Sequence, residues 1–144
     1  MSQQGVQKCF QVLECQVTGQ YTHDHENGLR GQPQARLKVL VNDKHEEATA
    51  QGVGLINALD TALRKILVPH FPFLENVVIH HYIVNKAGSE RSSASSAIIS
   101  MHFRSFNDYR VFKHTSSDVV LSTLNVLIQG FQHEIAKAKQ LVSA

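Results

Sequence analysis

Hydrophobic and polar residues alternate along the first third of the chain, which is the pattern of half-buried β-strands. Residues 10–19 and 35–42 alternate in this way, and residues 45–52 return as a third strand after a short turn. The polar segment 20–34, with two glycines and a proline as breakers, is predicted to be a loop. The positions predicted to face inward on the first two strands are Leu13, Cys15, Val17, Leu37, Val39 and Val41.

From Gly54 onward the apolar residues recur at intervals of three and four, the spacing of one face of an α-helix. The members of this stripe are Leu55, Leu59, Ala62, Leu63 and Ile66. Asp60 and Arg64 form an i,i+4 ion pair on the other side, and Pro69 and Pro72 are predicted to end the helix.

The second half of the chain follows the same plan. Residues 74–87 are predicted to be a strand, 88–95 a polar link, and 96–105 and 109–114 two further strands. The predicted inward face of the middle strand consists of Ala97, Ile99, Met101 and Phe103.

A second helix is predicted after these strands. Ser116 or Ser117 is its expected N-cap, and Asp118 is expected in its first turn, where the helix dipole favours a negative charge. Its apolar stripe consists of Val120, Leu124, Leu127, Ile128, Phe131 and Ile135.

The two halves superpose with a shift of about 63 residues, which indicates an internal repeat. The predicted fold class is therefore α+β, with two βββα units related by pseudo-twofold symmetry. Residues 1–144 are expected to form a single domain, with unit one at about 10–68 and unit two at about 74–142. Since each sheet has one uncovered face, either the two units pack on each other or two chains do.

The composition is that of a globular protein, with 42% hydrophobic and 18% charged residues among 144. The net charge of +2 is too small to indicate nucleic acid. Cys9 and Cys15 are interpreted as reduced thiols of a cytoplasmic protein. The sequence shows neither a signal peptide nor an apolar run of membrane-spanning length, so no membrane partner is expected.

Candidate chemistry is sparse. The pair His23 and His25 lies in the polar segment, and His80 and His81 are expected to point to opposite faces of a strand. The nine histidines show no structural zinc spacing, so solvated or internally bonded histidines are favoured and no metal or cofactor is predicted. The serines lack a nucleophile elbow, and no catalytic residue is proposed. A basic outer sheet face is expected from Arg36, Lys38, His102 and Arg104, with solvation as its default role.

The most informative stretch is the strand-to-helix turn at residues 50–59. Gly52 and Gly54 lead into the first helix, where free N–H groups suit a carboxylate, and glycine lets a ligand approach the backbone closely. The turn lacks the pattern of a nucleotide-binding loop. A tight turn that needs glycine for its own geometry is the alternative explanation.

Longer motifs support a family resemblance. The run GVGLINALDTALRKIL, then FPFLENVVIHHYIV, resembles the C-terminal allosteric domain of the 2-isopropylmalate synthase and citramalate synthase family. SSDVVLSTLNVLIQGF resembles that domain's second helix, and the similarity runs from about Phe10 to Phe131. The resemblance implies a homodimeric regulatory domain that itself lacks the catalytic barrel. The catalytic barrel would be fused to this domain or would act in trans. It also implies feedback binding of leucine or isoleucine between subunits.

The resemblance also implies an effector site. The residues that match the family's ligand-facing positions are Gly52, Gly54, Leu55, Ile56, Asn57, Ala58, Tyr82, Val84, Ser93 and Ser95. The chain departs from the family pattern at Leu55, where proline is usual, and at His81, where aspartate is usual. A dimerisation or scaffolding module that has lost its ligand is the alternative function.

Overall fold

The computed structural model shows two compact units, Met1–Pro72 and Phe73–Ala144. Each contains a three-stranded antiparallel sheet followed by a helix, so the predicted α+β fold of two βββα units is confirmed. None of the described helices is long and apolar enough to span a membrane. The structure describes residues 9–26, 28–86, 96–106 and 108–143.

The first unit consists of β1 (Phe10–Asp24), β2 (Gly28–Val41), β3 (Lys44–Gln51) and α1 (Leu55–Leu67), with the sheet order β1-β2-β3. Helix α1 packs against β2 and β3. Its apolar stripe meets the inward face of β2, where alternate side chains are fully buried, as the alternation predicted. The buried residues of this layer are Leu37, Val39, Val41, Leu59, Ala62, Leu63 and Ile66.

The hairpin between β1 and β2 is much longer than predicted. Pairing continues from Thr18 opposite Gln34 to Asp24 opposite Gly28, so the prediction of a loop over 20–34 was wrong. These residues bury few side chains, and the burial pattern that marks a strand in a sequence is therefore missing. Backbone hydrogen bonds maintain the ribbon, and near its tip Arg30 Nη1 lies 3.8 Å from Asp24 Oδ2.

A β-bulge between Val12 and Glu14 changes the register of β1. Leu13, predicted to face inward, is 44% exposed because the extra residue turns its side chain away from the core. After the bulge, Cys15 lies opposite Leu37 and Val17 opposite Ala35, on the face that packs against α1.

The second unit contains β4 (Val78–Lys86), β5 (Ala97–Ser105), β6 (Asp108–Ser116) and α2 (Val119–Ser143), in the sheet order β4-β5-β6. A short 3-10 helix at Pro72–Asn76 precedes β4, so the strand predicted over 74–87 begins four residues late. Proline at the first position and the buried Leu74 explain that turn.

Aromatic packing closes the core of the second unit. The Phe103 ring stands edge-on to Phe112 and Phe131, with ring centres 5.4 and 5.7 Å apart. Gly130 on α2 makes this possible, since a Cβ there would lie 2.2 Å from the Phe103 ring. A glycine inside a helix costs about 1 kcal/mol relative to alanine, and here the close approach of the ring explains its presence.

Candidate functional site

The strand-to-helix turn of the first unit contains two glycines with different roles. Gly52 is buried, and its N–H donates to the Pro33 carbonyl oxygen at 3.1 Å. A Cβ at Gly52 would lie 2.5 Å from the backbone nitrogen of Ala58. The turn therefore needs glycine at this position for its own packing, which agrees with the tight-turn explanation.

Gly54 is the N-cap of α1 and faces open space. Its backbone is extended (φ −156°, ψ 176°), and a Cβ would meet no atom within 4 Å. The Ala58 N–H donates the first intrahelical bond, to the Gly54 carbonyl oxygen at 3.0 Å. The N–H groups of residues 55–57 precede this bond and have no intrahelical acceptor, because an α-helix offers none to its first turn. The first turn contains no acidic residue. Such a helix start attracts an anion.

The other predicted residues of this turn differ in exposure. The Asn57 side chain is exposed, and its Oδ1 accepts the Val53 N–H at 3.3 Å. Leu55 and Ile56 are half-buried, whereas Ala58 is completely buried. Leu55, Ile56 and Asn57 thus flank the open helix start together with Gly54.

The predicted residues of β4 belong to the second unit. The Tyr82 hydroxyl lies 3.2 Å from Thr123 Oγ1 on α2, and Tyr82 is half-buried. Val84 lies opposite Ile99 and is 49% exposed. Ser93 and Ser95 lie outside the described residues. Within the described chain the predicted site residues therefore form two groups, one in each unit.

The helix start of the second unit is closed by its own side chains. Asp118 Oδ1 accepts the Leu121 N–H at 3.0 Å, and Ser116 Oγ accepts the Asp118 N–H at 3.0 Å. Asp118 is therefore the N-cap, one or two residues beyond the predicted serines. A carboxylate of the chain itself occupies the first turn of α2.

A cluster of charged groups ties the β5–β6 turn to α2, and sequence reasoning did not identify it. Lys137 Nζ lies 3.0 Å from Asp108 Oδ2 and 3.2 Å from Glu134 Oε1, and it donates to Ser105 Oγ at 2.7 Å. Hydrogen bonds from Lys137 and then His133 hold the pKa of Asp108 far below its usual value. The only sequence signal was the four-residue spacing of His133 and Lys137 on one helix face.

The same cluster brings three possible metal ligands together, namely Asp108, His133 and Glu134, with ligand atoms within 4.8 Å of one another. The Lys137 ammonium already lies between the two carboxylates. Burial lowers the pKa of Lys137, but hydrogen bonds to Asp108 and Glu134 outweigh it and the pKa rises, so the ammonium stays charged. The cluster is therefore an internal ion network in which lysine supplies the cation.

His80 and His81 do not point to opposite faces as predicted. A register shift between His80 and Ile83 and a left-handed backbone at His81 (φ 56°) bring the two rings together, with centres 4.7 Å apart. His102 on β5 joins them at 6.0 Å from His80 and 4.9 Å from His81. Burial, followed by the nearby charges of His81 and Arg104, lowers the pKa of His80.

The predicted basic outer face divides between the two units. In the first, Arg36 is paired with Glu47, and Lys38 Nζ lies 3.4 Å from Glu14 Oε1, so acidic partners neutralise both cations. In the second, His102 belongs to the histidine group. The two cations of the first unit therefore do not form a continuous basic surface.

Comparisons with known proteins agree with this architecture. The model of the LeuA allosteric (dimerisation) domain matches residues 2–134. A similar protein, the (R)-citramalate synthase of Geobacter sulfurreducens, is 26% identical over 134 residues, which cover 93% of this chain and 25% of that enzyme. The chain thus spans about a quarter of the length of this relative. Because the family match covers nearly the whole chain, this protein belongs to the LeuA allosteric (dimerisation) domain family.

Proposed function

We propose that the chain is a regulatory domain that binds leucine or isoleucine for feedback control of a 2-isopropylmalate or citramalate synthase. The family match and the similarity to part of a citramalate synthase support a regulatory role. The observation that carries the ligand proposal is the uncapped, open helix start at Gly54.

The ligand carboxylate would accept hydrogen bonds from the first-turn N–H groups of α1. A Cβ at Gly54 would meet no heavy atom within 4 Å, and no acidic residue of the first turn repels an anion. Asn57 Oδ1 accepts only one hydrogen bond in the described structure, and an amide oxygen has two lone pairs, so it can also accept from the ligand ammonium. The half-buried Leu55 and Ile56 offer apolar surface for the aliphatic side chain.

Tyr82 and Val84 are proposed as further apolar walls on the basis of the family pattern. Tyr82 is bonded through its hydroxyl to Thr123, so its ring is held in one orientation. A held aromatic ring contributes contact area at low entropic cost.

A homodimer, with a catalytic barrel either fused or acting in trans, is part of the proposal. Leu127 and Phe131, in the apolar stripe of α2, are fully buried within the chain. A dimer must therefore use other surface. Light scattering should give twice the 16.1 kDa chain mass, and a purely monomeric species at micromolar concentration would contradict the dimer.

Calorimetric titration with leucine, isoleucine and valine tests the effector site. Gly54→Ala should weaken binding at least tenfold, about 1.4 kcal/mol, because a methyl group would stand where the carboxylate approaches. The fold should be unaffected, because the backbone there suits any residue and the space is empty. Tyr82→Ala should also weaken binding.

Ser117→Ala, at the equivalent turn of the second unit, is the matched control and should leave the affinity unchanged. If wild type binds but neither Gly54→Ala nor Tyr82→Ala matters, the site lies elsewhere. An apolar cavity of about 210 Å³ bordered by Phe73, Phe106 and the buried Glu134 is then the next place to test. If the dimer binds none of the three amino acids, the scaffolding alternative holds.

A further inference from the structure

Three imidazoles lie together on the sheet of the second unit, on the side away from α2, where β5 presents His102 between the inward-facing Met101 and Phe103. We infer that His80, His81 and His102, the histidine cluster, form a binding site for a divalent transition-metal cation such as Zn²⁺. The inference rests on the second unit alone and is independent of the proposed effector.

The backbone of β4 is what assembles the histidine cluster. In a regular strand consecutive side chains alternate between faces. The register shift after His80 and the left-handed conformation of His81 cancel that alternation. A left-handed non-glycine residue is unfavourable by about 1 kcal/mol or more, and the conformation persists here where it places two imidazoles side by side.

The spacing of the rings matches that of metal ligands. In a tetrahedral zinc site with Zn–N bonds of about 2.0–2.1 Å, the centres of two ligating imidazoles are about 5 Å apart. The observed separations are 4.7, 4.9 and 6.0 Å. The ring nitrogens of the three histidines do not converge in this structure, so metal binding requires the rings to rotate, and the exposure of His81 permits this.

Two further observations concern the nitrogen atoms that would bind the metal. His80 Nε2 is buried and has no hydrogen-bond partner among the described residues, and a metal ion would satisfy it. His102 Nδ1 is hydrogen-bonded to the Tyr109 hydroxyl. With Nδ1–H donating a hydrogen bond to the hydroxyl oxygen, His102 Nε2 carries the free lone pair, which is the arrangement typical of metal-bound histidine.

Zinc titration calorimetry and the visible absorption of Co²⁺ test the site. Wild type should bind one Zn²⁺ per chain at this cluster, and Co²⁺ should show the intense bands of low coordination number. His81→Asn removes one ligand while keeping a side chain that tolerates the left-handed conformation. His102→Gln removes another ligand. Each should weaken Zn²⁺ binding roughly tenfold or more.

Two control variants retain the cluster. His45→Gln removes an exposed histidine of β3, and the double variant His23→Gln/His25→Gln removes a pair of rings 5.8 Å apart. Neither should change the affinity. Zinc binding that is lost in the double variant but kept in His81→Asn and His102→Gln would overturn the inference, as would the absence of binding to wild type. Thermal unfolding of His81→Asn should show a folded protein, so that weaker binding reports a lost ligand.

Discussion

The two helices of this chain begin in different ways. Helix α1 begins at Gly54, which has no side chain and leaves the first turn open, whereas α2 begins at Asp118, whose carboxylate accepts the Leu121 N–H. The units share one βββα plan, so the requirement for acceptors at the helix start is the same in both. The second unit meets that requirement with its own carboxylate, whereas the first unit has no side-chain cap at Gly54.

The β2–β3 and β5–β6 hairpin turns are also held by different side chains in the two units. In the first unit, His70 links Glu46, at 2.5 Å, to Asn42, at 3.0 Å. In the second, Lys137 and His133 both bind Asp108. Both units thus fasten the hairpin of their second and third strands to a residue in or just beyond the helix. The main difference between the units is therefore at the helix start, which has no side-chain cap in the first unit.

The largest effect is expected from Gly52→Ala. This variant tests whether the strand-to-helix turn of the first unit is tightly packed at Gly52 although it is open at Gly54. The added Cβ would overlap the Ala58 backbone, so the free energy of unfolding should fall by about 2–3 kcal/mol. Gly54→Ala should change it by less than about 0.5 kcal/mol. Urea unfolding of both variants measures the difference, and equal losses would contradict the distinction between the two glycines.

Asp108→Asn tests the fastening in the second unit and should cost about 2 kcal/mol, because it removes charge-assisted hydrogen bonds. The pKa of Asp108 is lower in the folded state than its ordinary value of 3.8. The contribution of this carboxylate to the free energy of unfolding is therefore complete above its ordinary pKa and is lost as the pH falls through its folded-state pKa. The wild-type advantage should therefore shrink below about pH 4. Unfolding curves from pH 7 to pH 3 check this, and a constant difference would contradict the pH linkage.

Gly54→Asp gives α1 an aspartate N-cap like the one at Asp118 of α2. Its carboxylate should occupy the open first turn and weaken leucine or isoleucine binding at least tenfold, about 1.4 kcal/mol. The free energy of unfolding should stay equal or rise by a few tenths of a kcal/mol, because aspartate is a better N-cap than glycine. Calorimetry gives the affinity and thermal melting the stability. Unchanged affinity would remove the helix start from the site.

Asp118→Ala makes the reciprocal change and has the smallest expected effect. Loss of the cap should lower the free energy of unfolding by about 1 kcal/mol. Branched-chain amino-acid affinity should stay within error of wild type, since Asp118 is not among the proposed ligand contacts. An affinity change as large as that of Gly54→Asp would mean that the two helix starts do not act separately.

The sequence was sufficient for the elements whose side chains alternate or recur around a core. Leu37, Val39, Met101 and Phe103 are fully buried where alternation predicted. Burial of hydrophobic side chains is what produces the periodic pattern in the sequence. The family resemblance was likewise confirmed, because it rested on long ordered motifs.

The sequence was insufficient where the backbone departs from a regular period. The bulge after Val12 reversed the prediction for Leu13, and the register shift after His80 placed two histidines on one face. Both shifts depend on strand pairing, which a single strand's pattern does not encode. The different roles of Gly52 and Gly54 were also hidden, because they depend on how closely Ala58 approaches.

The long β1–β2 hairpin has a consequence for the way the first unit opens. β3 ends opposite Gln34, which also pairs with Thr18, so from Gly19 to Asp24 the described ribbon has only two strands, with Tyr21 and Leu29 more than half exposed. Two-stranded ribbons without a covered face are marginally stable in water. The amides beyond Thr18 should therefore exchange with deuterium by local unzipping, while those of residues 35–41 wait for the whole unit to unfold. One pair of strands thus spans two levels of protection.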